Sequence, residues 1–233
     1  SRTRLSLRRG MPRTRSYRTY TPLGITLPLS RELVTRSFIR RHFKVDVVRS
    51  ALSSFGPGSA AGLLGYKPYL LQQGMRSESA FEGAVTSAVN HLAAGKAPKF
   101  LKRILAGGVS IALQKNETAI RPLACGDPLR RLVGKCFCVV AREEISKNFE
   151  GRNFGVGCKG GVEVVAHSLR DVVSKSKDTK LALLKIDFKN AFNLIKREHF
   201  VPAVCKMFPR LTSWTEWCYG ASSILLYAPS RAI

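Results

Sequence analysis

The chain has 233 residues, of which 45% are hydrophobic, so it is long and apolar enough for a packed core and too apolar for global disorder. Its 39 Lys and Arg outnumber its 15 Asp and Glu, which gives a formal net charge of +24 at pH 7. A charge of this size predicts a polyanionic partner, for which nucleic acid is the usual candidate and an anionic membrane surface the competing one.

The location expected from the sequence is intracellular, either nuclear or cytoplasmic, without a membrane partner. No apolar run approaches the roughly 20 residues that a membrane span needs. The amino-terminal part also lacks the apolar core of a secretory signal, although its Arg- and Ser-rich composition leaves an organellar presequence open. The six cysteines show no paired C-x-x-C spacing and no neighbouring histidine cluster, so free thiols in a reducing compartment are expected rather than a zinc site.

Residues 1–50 are predicted to be a basic, partly disordered arm with short helices. Residues 1–44 contain 12 basic residues and one acid, and Pro12, Pro22 and Pro28 interrupt any periodicity. Arginine supplies nearly all of this charge, which suits bidentate contacts to phosphate. Apolar residues at helical spacing within residues 31–53 predict one or two short helices at the end of the arm.

Residues 51–108 are predicted to be a helical segment that leads into a sheet. A loop rich in Gly and Pro covers residues 53–62. Apolar residues then recur at helical spacing over residues 78–94, from Phe81 to Leu92, and Gly95 is expected to end that helix.

Residues 109–180 begin with two strand-like runs, 109–115 and 119–125, which a short polar turn joins into a predicted hairpin. Pro122 either weakens the second run or makes it an edge strand, because proline cannot donate to a ladder. Leu129, Leu132, Val133 and Cys136 predict a helix. A glycine-rich turn at 155–161 precedes a second helix with Val162, Val165, Leu169 and Val172 on one face.

Residues 181–233 are predicted to open with a short buried strand, residues 181–186, that delivers Asp187 at its carboxyl end. A helix over residues 195–208 is expected to follow, with Pro202 as a candidate start. A strand ending in a carboxylate beside an aromatic is typical of the active site of nucleotidyl-transferring palm domains. On spacing alone, an ordinary surface aspartate at a strand end is the commoner case.

Taken in order, these segments resemble the reverse transcriptase domain of non-LTR (LINE-like) retrotransposons. The matching segments are SSFGPGSA at residues 53–60, IALQK at 111–115, IRPLA at 120–124, LRRLVGKC at 129–136, GVGCKGGVE at 155–163 and DFKNAFN at 187–193. The resemblance covers roughly residues 50–228. Each motif alone is weak, and their order carries the resemblance.

The resemblance implies an α/β (α+β) fold, namely an incomplete right-hand polymerase with fingers (109–180), the start of a palm (181–233) and no thumb. The implied activity is RNA-directed DNA synthesis, with an RNA template, a DNA primer, deoxynucleoside triphosphates and Mg²⁺ as partners and cofactor. Asp187 would be the catalytic residue and metal ligand, because two-metal phosphoryl transfer needs carboxylates that hold ions about 3.5–4 Å apart. Phe192 would be the ring that excludes a 2′-hydroxyl.

The resemblance implies two further groups of site residues. Contacts to the incoming nucleotide would come from Lys115, Arg121, Phe188 and Phe192. Contacts to nucleic acid would come from Arg130, Arg131, Lys135, Lys159, Gly160 and Gly161. Any one of these cations could instead belong to a solvated face, and the glycines could form a mere turn.

The chain also departs from the family pattern. Residues 62–65 read GLLG where the family commonly has Gly-Pro-Asp-Gly, and the later Gln-Gly-Asp-Pro and aromatic-x-Asp-Asp motifs do not occur. A fragment with one such carboxylate and no thumb is expected to be inactive by itself. The alternatives are a degenerate or domesticated relative that only binds nucleic acid, a group II intron-type or telomerase-like relative, and a basic structural protein.

Overall fold

The computed structural model describes residues 17–19, 42–114, 116–117, 120–176, 180–188 and 191–227. These residues form a mixed fold of helices and a small sheet, as the sequence predicted at this coarse level. The helices are α1 (Val45–Ser53), α2 (Pro68–Ser77), α3 (Ser79–Ala93), α4 (Lys99–Leu105), α5 (Pro128–Val140), α6 (Arg142–Phe149), α7 (Gly161–Lys175), α8 (Ala191–Leu194), α9 (Arg197–Met207) and α10 (Thr212–Tyr219). The strands are β1 (Tyr17–Thr19), β2 (Gly108–Gln114), β3 (Ile120–Gly126) and β4 (Ile224–Tyr227).

The sheet has the order β1-β4-β2-β3. Strands β2 and β3 form the predicted antiparallel hairpin, in register from Gly108 opposite Gly126 to Gln114 opposite Ile120. Pro122 lies in β3, which is an edge strand, one of the two outcomes expected for a run that contains proline. Strand β4 runs parallel to β2 on the other side and antiparallel to the three-residue β1.

The hydrophobic core lies where α1, α3, α5 and α10 meet. Val48, Val89, Leu132 and Val133 are fully buried in it, at the helical spacings that the sequence showed. Helix α10 contributes Trp214 and Trp217, whose rings stack with centroids 5.2 Å apart, and Phe137 of α5 stacks on Trp214. The last described helix therefore packs on helices that end more than 70 residues earlier in the chain.

Most of the predicted helices are confirmed. The helix expected over residues 78–94 is α3, and Gly95 follows it with φ +69°. The helix expected from Leu129 is α5, which begins after Asp127, and the one expected after the glycine-rich turn is α7. Residues 31–41 lie outside the described residues, so only α1 represents the helices expected over 31–53.

The prediction that Pro202 could start the last apolar helix was wrong. Helix α9 begins at Arg197, directly after the extended Lys196, and Pro202 lies inside it. Glu198 in the first turn favours this earlier start, because an acidic side chain interacts well with the free N–H groups of a helix amino terminus. Proline at this position removes one intrahelical hydrogen bond without ending the helix.

The buried strand predicted for residues 181–186 is not observed. Residues 181–188 are irregular and exposed; Leu184 retains 81% of its accessible surface and Phe188 75%. A strand exists only beside a partner that takes up its N–H and C=O groups, and none of the described strands pairs with this segment. An apolar run of this length can form a strand only if such a partner is present, and the run itself cannot supply one.

Within the described part of the chain, no helix combines the length and the apolarity that crossing a lipid bilayer requires.

Candidate nucleic-acid interface

The cations predicted on α5 make specific contacts within the protein. Arg130 donates from Nη1 to the carbonyl oxygen of Ala106 at 2.7 Å, and its guanidinium lies 5.4 Å from the ring centroid of Tyr219. Tyr219 also receives the guanidinium of Arg197 at 5.9 Å. Arg130 therefore joins α5 to the segment before β2 and to the end of α10.

Arg131 and Lys135 hold the loop that precedes α2. Arg131 donates from Nη2 to the carbonyl oxygen of Ala60 and lies 5.3 Å from the ring centroid of Phe55. Lys135 donates from Nζ to the hydroxyl oxygen of Ser54 at 2.8 Å and lies 4.7 Å from the same ring. All three predicted cations of α5 thus bond neighbouring segments of the protein, which leaves fewer of their N–H groups available to a phosphate.

A buried carboxylate, Asp127, begins α5 and was not singled out in the sequence. Asp127 has no exposed surface. Its Oδ1 accepts from the backbone N–H of Leu129 at 2.9 Å and from the hydroxyl of Tyr66 at 2.8 Å. The sequence signal was an Asp directly before Pro128, since Asp is a preferred N-cap and Pro a preferred first helical residue.

The surroundings of Asp127 shift two pKa values upward. Burial raises the pKa of the Asp127 carboxyl, and the hydrogen bonds from Tyr66 and Leu129 and the charge of Arg131 oppose that shift only in part. Burial also raises the pKa of the Tyr66 hydroxyl, with further increases from the charge of Asp127 and from the hydrogen bond to it. Tyr66 therefore remains a neutral donor to this carboxyl throughout the physiological range.

One of the two predicted nucleotide-contacting cations, Arg121, lies on the hairpin. Arg121 is exposed on β3, opposite Leu113 of β2. Lys115 lies outside the described residues. The half of the hairpin next to its turn is exposed, from Ala112 to Gln114 on one strand and from Ile120 on the other, so Arg121 is carried on a projecting element.

The glycine-rich turn is confirmed as a turn and leaves two of its three predicted contact residues, Lys159 and Gly160, exposed. Gly160 has φ +68°, and Gly161 is buried. A Cβ added to Gly161 would overlap the carbonyl oxygen of Phe154. The close approach that Gly161 permits is therefore to the chain's own backbone, and Lys159 is the exposed cation of this turn.

Asp187, Phe188 and Phe192 lie on exposed chain. Phe192, on the four-residue helix α8, retains 97% of its accessible surface. Among the described residues, no hydrogen bond, ion pair or ring contact joins any of the three to β2, β3 or α5. The structure thus brings the α5 cations together and leaves the predicted catalytic residue apart from them.

The described residues do not supply a preformed metal site. They contain no group of three or more His, Cys, Asp or Glu side chains placed to share an ion. Asp187 offers a single accessible carboxylate, and Mg²⁺ bound by protein typically takes one or two carboxylates together with substrate phosphates and water. A two-ion centre would need further carboxylates beside Asp187.

Comparison of the chain with protein-family models, with curated proteins and with solved structures found no match. The similarity to reverse transcriptases therefore rests on the ordered sequence motifs.

Proposed function

We propose that this chain is the fingers and the beginning of the palm of an RNA-directed DNA polymerase. The complete enzyme would add deoxynucleotides to a primer 3′ end on an RNA template, with Mg²⁺ as its cofactor. The observation that supports this most is the hairpin β2–β3, whose strands contain residues 111–114 and 120–124 of the two fingers motifs and which leads directly into α5. The remaining motifs follow in the order that the resemblance requires.

In this proposal the hairpin carries the residues that meet the incoming nucleotide. Arg121 projects from β3 as an exposed guanidinium, which can grip triphosphate oxygens with two parallel hydrogen bonds. Arg130 donates to the carbonyl oxygen of Ala106, shortly before β2, so the base of the hairpin is held on α5. Rigid placement of a cation lowers the cost of orienting the substrate.

Asp187 is proposed as a metal ligand and Phe192 as the ring that excludes ribonucleotides. For both roles the exposed segment 181–188 would have to pair as a strand, which would turn Asp187 and Phe192 toward one site. The apolar residues of that segment favour such pairing, because four of them, Leu181, Leu183, Leu184 and Ile186, are more than half exposed.

The test is primer extension by the longest chain that the source transcript encodes around these residues. Sequencing downstream of the codon for Ile233 establishes whether Gln-Gly-Asp-Pro and aromatic-x-Asp-Asp motifs follow in frame. With them present, Asp187→Asn is expected to lower extension by roughly a hundredfold or more, since metal-bound charge supplies several kcal/mol of transition-state stabilisation. The control is Asp171→Asn, whose exposed pair with Lys175 at 2.7 Å adds little stability.

A second substitution tests the proposed ring. Phe192→Val is expected to raise incorporation of ribonucleotides relative to deoxynucleotides, because a smaller side chain leaves room for the 2′-hydroxyl. Unchanged discrimination would remove Phe192 from the site. Equal extension by the Asp187→Asn and Asp171→Asn proteins would contradict the polymerase proposal itself.

Nucleic-acid binding without polymerisation is the second candidate. The exposed, unpaired Asp187 segment and the lack of a metal-binding cluster in the described residues favour it. It predicts RNA binding that Asp187→Asn leaves unchanged. It also predicts no primer extension by the longest chain that the source transcript encodes. Binding together with Asp187-dependent extension would exclude it.

A further inference from the structure

Helix α7 presents an apolar face that is not covered within the described part of the chain. Every residue from Val162 to Lys175 is exposed, and Val162 retains 82% of its accessible surface. Helices α1, α3 and α5, in contrast, bury their apolar residues in the core. A helix of 15 residues is marginal in water by itself, because most helical stability in proteins comes from packing of the apolar face. The face of α7 therefore calls for a partner.

The apolar residues of α7 repeat with the spacing of a seam between two helices. The seam residues are Val162, Val165, Leu169 and Val172. They are separated by three, four and three positions, which is the alternation of the a and d positions over two heptads. Ala166 and Val173 lie beside the seam and widen it. Such a stripe packs best on a second helix with the same spacing, because the side chains of the two helices then interdigitate.

The charge of α7 favours a protein partner over a polyanion. The helix has two acids, Glu163 and Asp171, and two bases, Arg170 and Lys175, so its formal charge is zero within a chain of +24. A helix that lies on an anionic membrane carries Lys and Arg over its polar face, and binding of nucleic acid likewise needs an excess of positive charge. Because α7 is neutral, its apolar face suits another neutral amphipathic helix.

The distribution of these charges suits a second copy of the same helix. The first turn of α7 is acidic through Glu163, and the last turn is basic through Lys175. In an antiparallel pair, the first turn of each helix lies beside the last turn of the other, so opposite charges and opposite helix dipoles meet at both ends. Lys175 pairs with Asp171 at 2.7 Å on the exposed surface, and an exposed pair of this kind is readily exchanged.

We propose that the chain forms a two-fold symmetric dimer in which the seams of two antiparallel α7 helices pack together. A two-fold contact uses the same surface on both copies, so one apolar stripe satisfies both chains. The contact is small, which places the expected dissociation constant in the micromolar range. The dimer goes beyond the function proposed above, because it requires neither polymerisation nor a bound nucleic acid.

The first experiment is sedimentation velocity of the nuclease-treated 233-residue chain, at about 1–300 µM protein and at several NaCl concentrations. A monomer–dimer equilibrium that tightens as salt is added is expected, because two chains of +24 repel each other less when their charges are screened. Association that weakens with salt would indicate bridging by a polyanion and would overturn the proposal. A chain that stays monomeric over the whole range would also overturn it.

Leu169→Lys tests the seam, and Ser174→Lys is the matched control, because it adds the same charge on the opposite face of α7. Leu169→Lys is expected to weaken the dimer at least about tenfold, since it places a charge at the centre of an apolar contact. Leu169 is exposed in the single chain, so the unfolding midpoint of the monomer should not fall. Equal dissociation constants for the two variants would place the contact elsewhere and overturn the proposal.

The antiparallel orientation is tested by exchanging the terminal charges. Glu163→Lys puts like charges at both ends of the pair and is expected to weaken the dimer about three- to tenfold. Adding Lys175→Glu to that variant should restore the dissociation constant to within about twofold of the original value, because the opposite charges then meet again. A double variant that dimerises no better than Glu163→Lys would exclude the antiparallel pair.

A membrane is the competing occupant of the face. Vesicles of phosphatidylcholine and phosphatidylglycerol provide the probe, since they combine an apolar interior with an anionic surface. The original chain and the Leu169→Lys and Ser174→Lys variants are expected to bind such vesicles equally, through the general positive charge of the chain. Vesicle binding that only Leu169→Lys abolishes, by a chain that is monomeric in solution, would assign the face to a membrane and overturn the dimer.

Discussion

Asp127 combines two roles in one buried carboxyl, because the same oxygen caps α5 and accepts from Tyr66. Asp127→Ala is expected to lower the free energy of unfolding by about 2–4 kcal/mol. Loss of an N-cap accounts for about 1 kcal/mol of this, and the stranded Tyr66 hydroxyl for about 1–3 kcal/mol. Denaturant unfolding measures the change. Asp127→Asn keeps an acceptor oxygen and serves as the control, with an expected loss below about 1 kcal/mol; equal losses would contradict both roles.

The raised pKa of Asp127 also predicts how stability depends on pH. A carboxyl whose pKa is higher in the folded state than in the unfolded state favours folding most when it is protonated. Its contribution is complete below the unfolded-state pKa and is lost as the pH rises through the folded-state pKa. The free energy of unfolding of the original chain, relative to Asp127→Asn, should therefore fall as the pH rises from about 4. If the free energies of unfolding of the two proteins depended on pH in the same way, burial would not raise the pKa of the Asp127 carboxyl.

At the scale of an element, the turn before α7 depends on Gly161, which lies against the backbone of Phe154. Gly161→Ala is expected to destabilise the protein by about 1–3 kcal/mol, because the new methyl group would overlap the Phe154 carbonyl oxygen. Gly134→Ala, inside α5 with open space around it, is the matched control. It should stabilise the chain by about 0.4–1 kcal/mol through helix propensity and reduced unfolded-state entropy. Thermal unfolding measures the change in stability for both variants. A change of the same sign in both would contradict the expected overlap at Gly161.

The elements that could be predicted from the sequence are those whose partners are local. Helices α3 and α5 carry their own apolar periodicity, and β2 and β3 are joined by a short turn. Helix α10 was missed because eight residues show too little periodicity, and β4 because its pairing joins residue 225 to residue 108. The strand predicted at residues 181–186 was wrong for a related reason. Strand pairing depends on distant residues, and an apolar run does not reveal whether a partner strand exists.

The candidate site shows the same limit at the level of single residues. Arg121 on an exposed hairpin and Lys159 at a turn could be placed from their motifs. The contacts of Arg130 and Arg131 with Ala106 and Ala60 could not, because they depend on loops 24 and 71 residues earlier in the chain. A basic residue in a motif therefore predicts a charge on an element, and only the packing decides whether that charge is available to a ligand.

For the whole molecule, the net charge of +24 predicts RNA binding that weakens steeply with salt, by about 0.7 in log K per log salt for each single-strand phosphate contacted. The structure divides four of the cations that would be available for such binding into two groups. Arg121 and Lys159 are exposed on a strand and a turn, whereas Arg130 and Arg131 bond backbone carbonyl groups of the protein. Replacing a cation that contacts phosphate should reduce the slope of log K against log salt. Replacing a cation that bonds the protein's own backbone should reduce the free energy of unfolding.

Arg121→Gln and Lys159→Gln are therefore each expected to lower the salt slope by about 0.7 while leaving the unfolding midpoint unchanged. Arg131→Gln should do the opposite, with a slope close to that of the original chain and a loss of about 1–3 kcal/mol in unfolding free energy, because the Ala60 carbonyl and the Phe55 ring lose their partner. RNA affinity measured from 50 to 300 mM NaCl, together with denaturant unfolding of the same samples, gives both quantities. A lower slope for Arg131→Gln at unchanged stability would mean that this guanidinium reaches phosphate despite its contacts within the fold. The motif, rather than the packing, would then be the better guide to the interface.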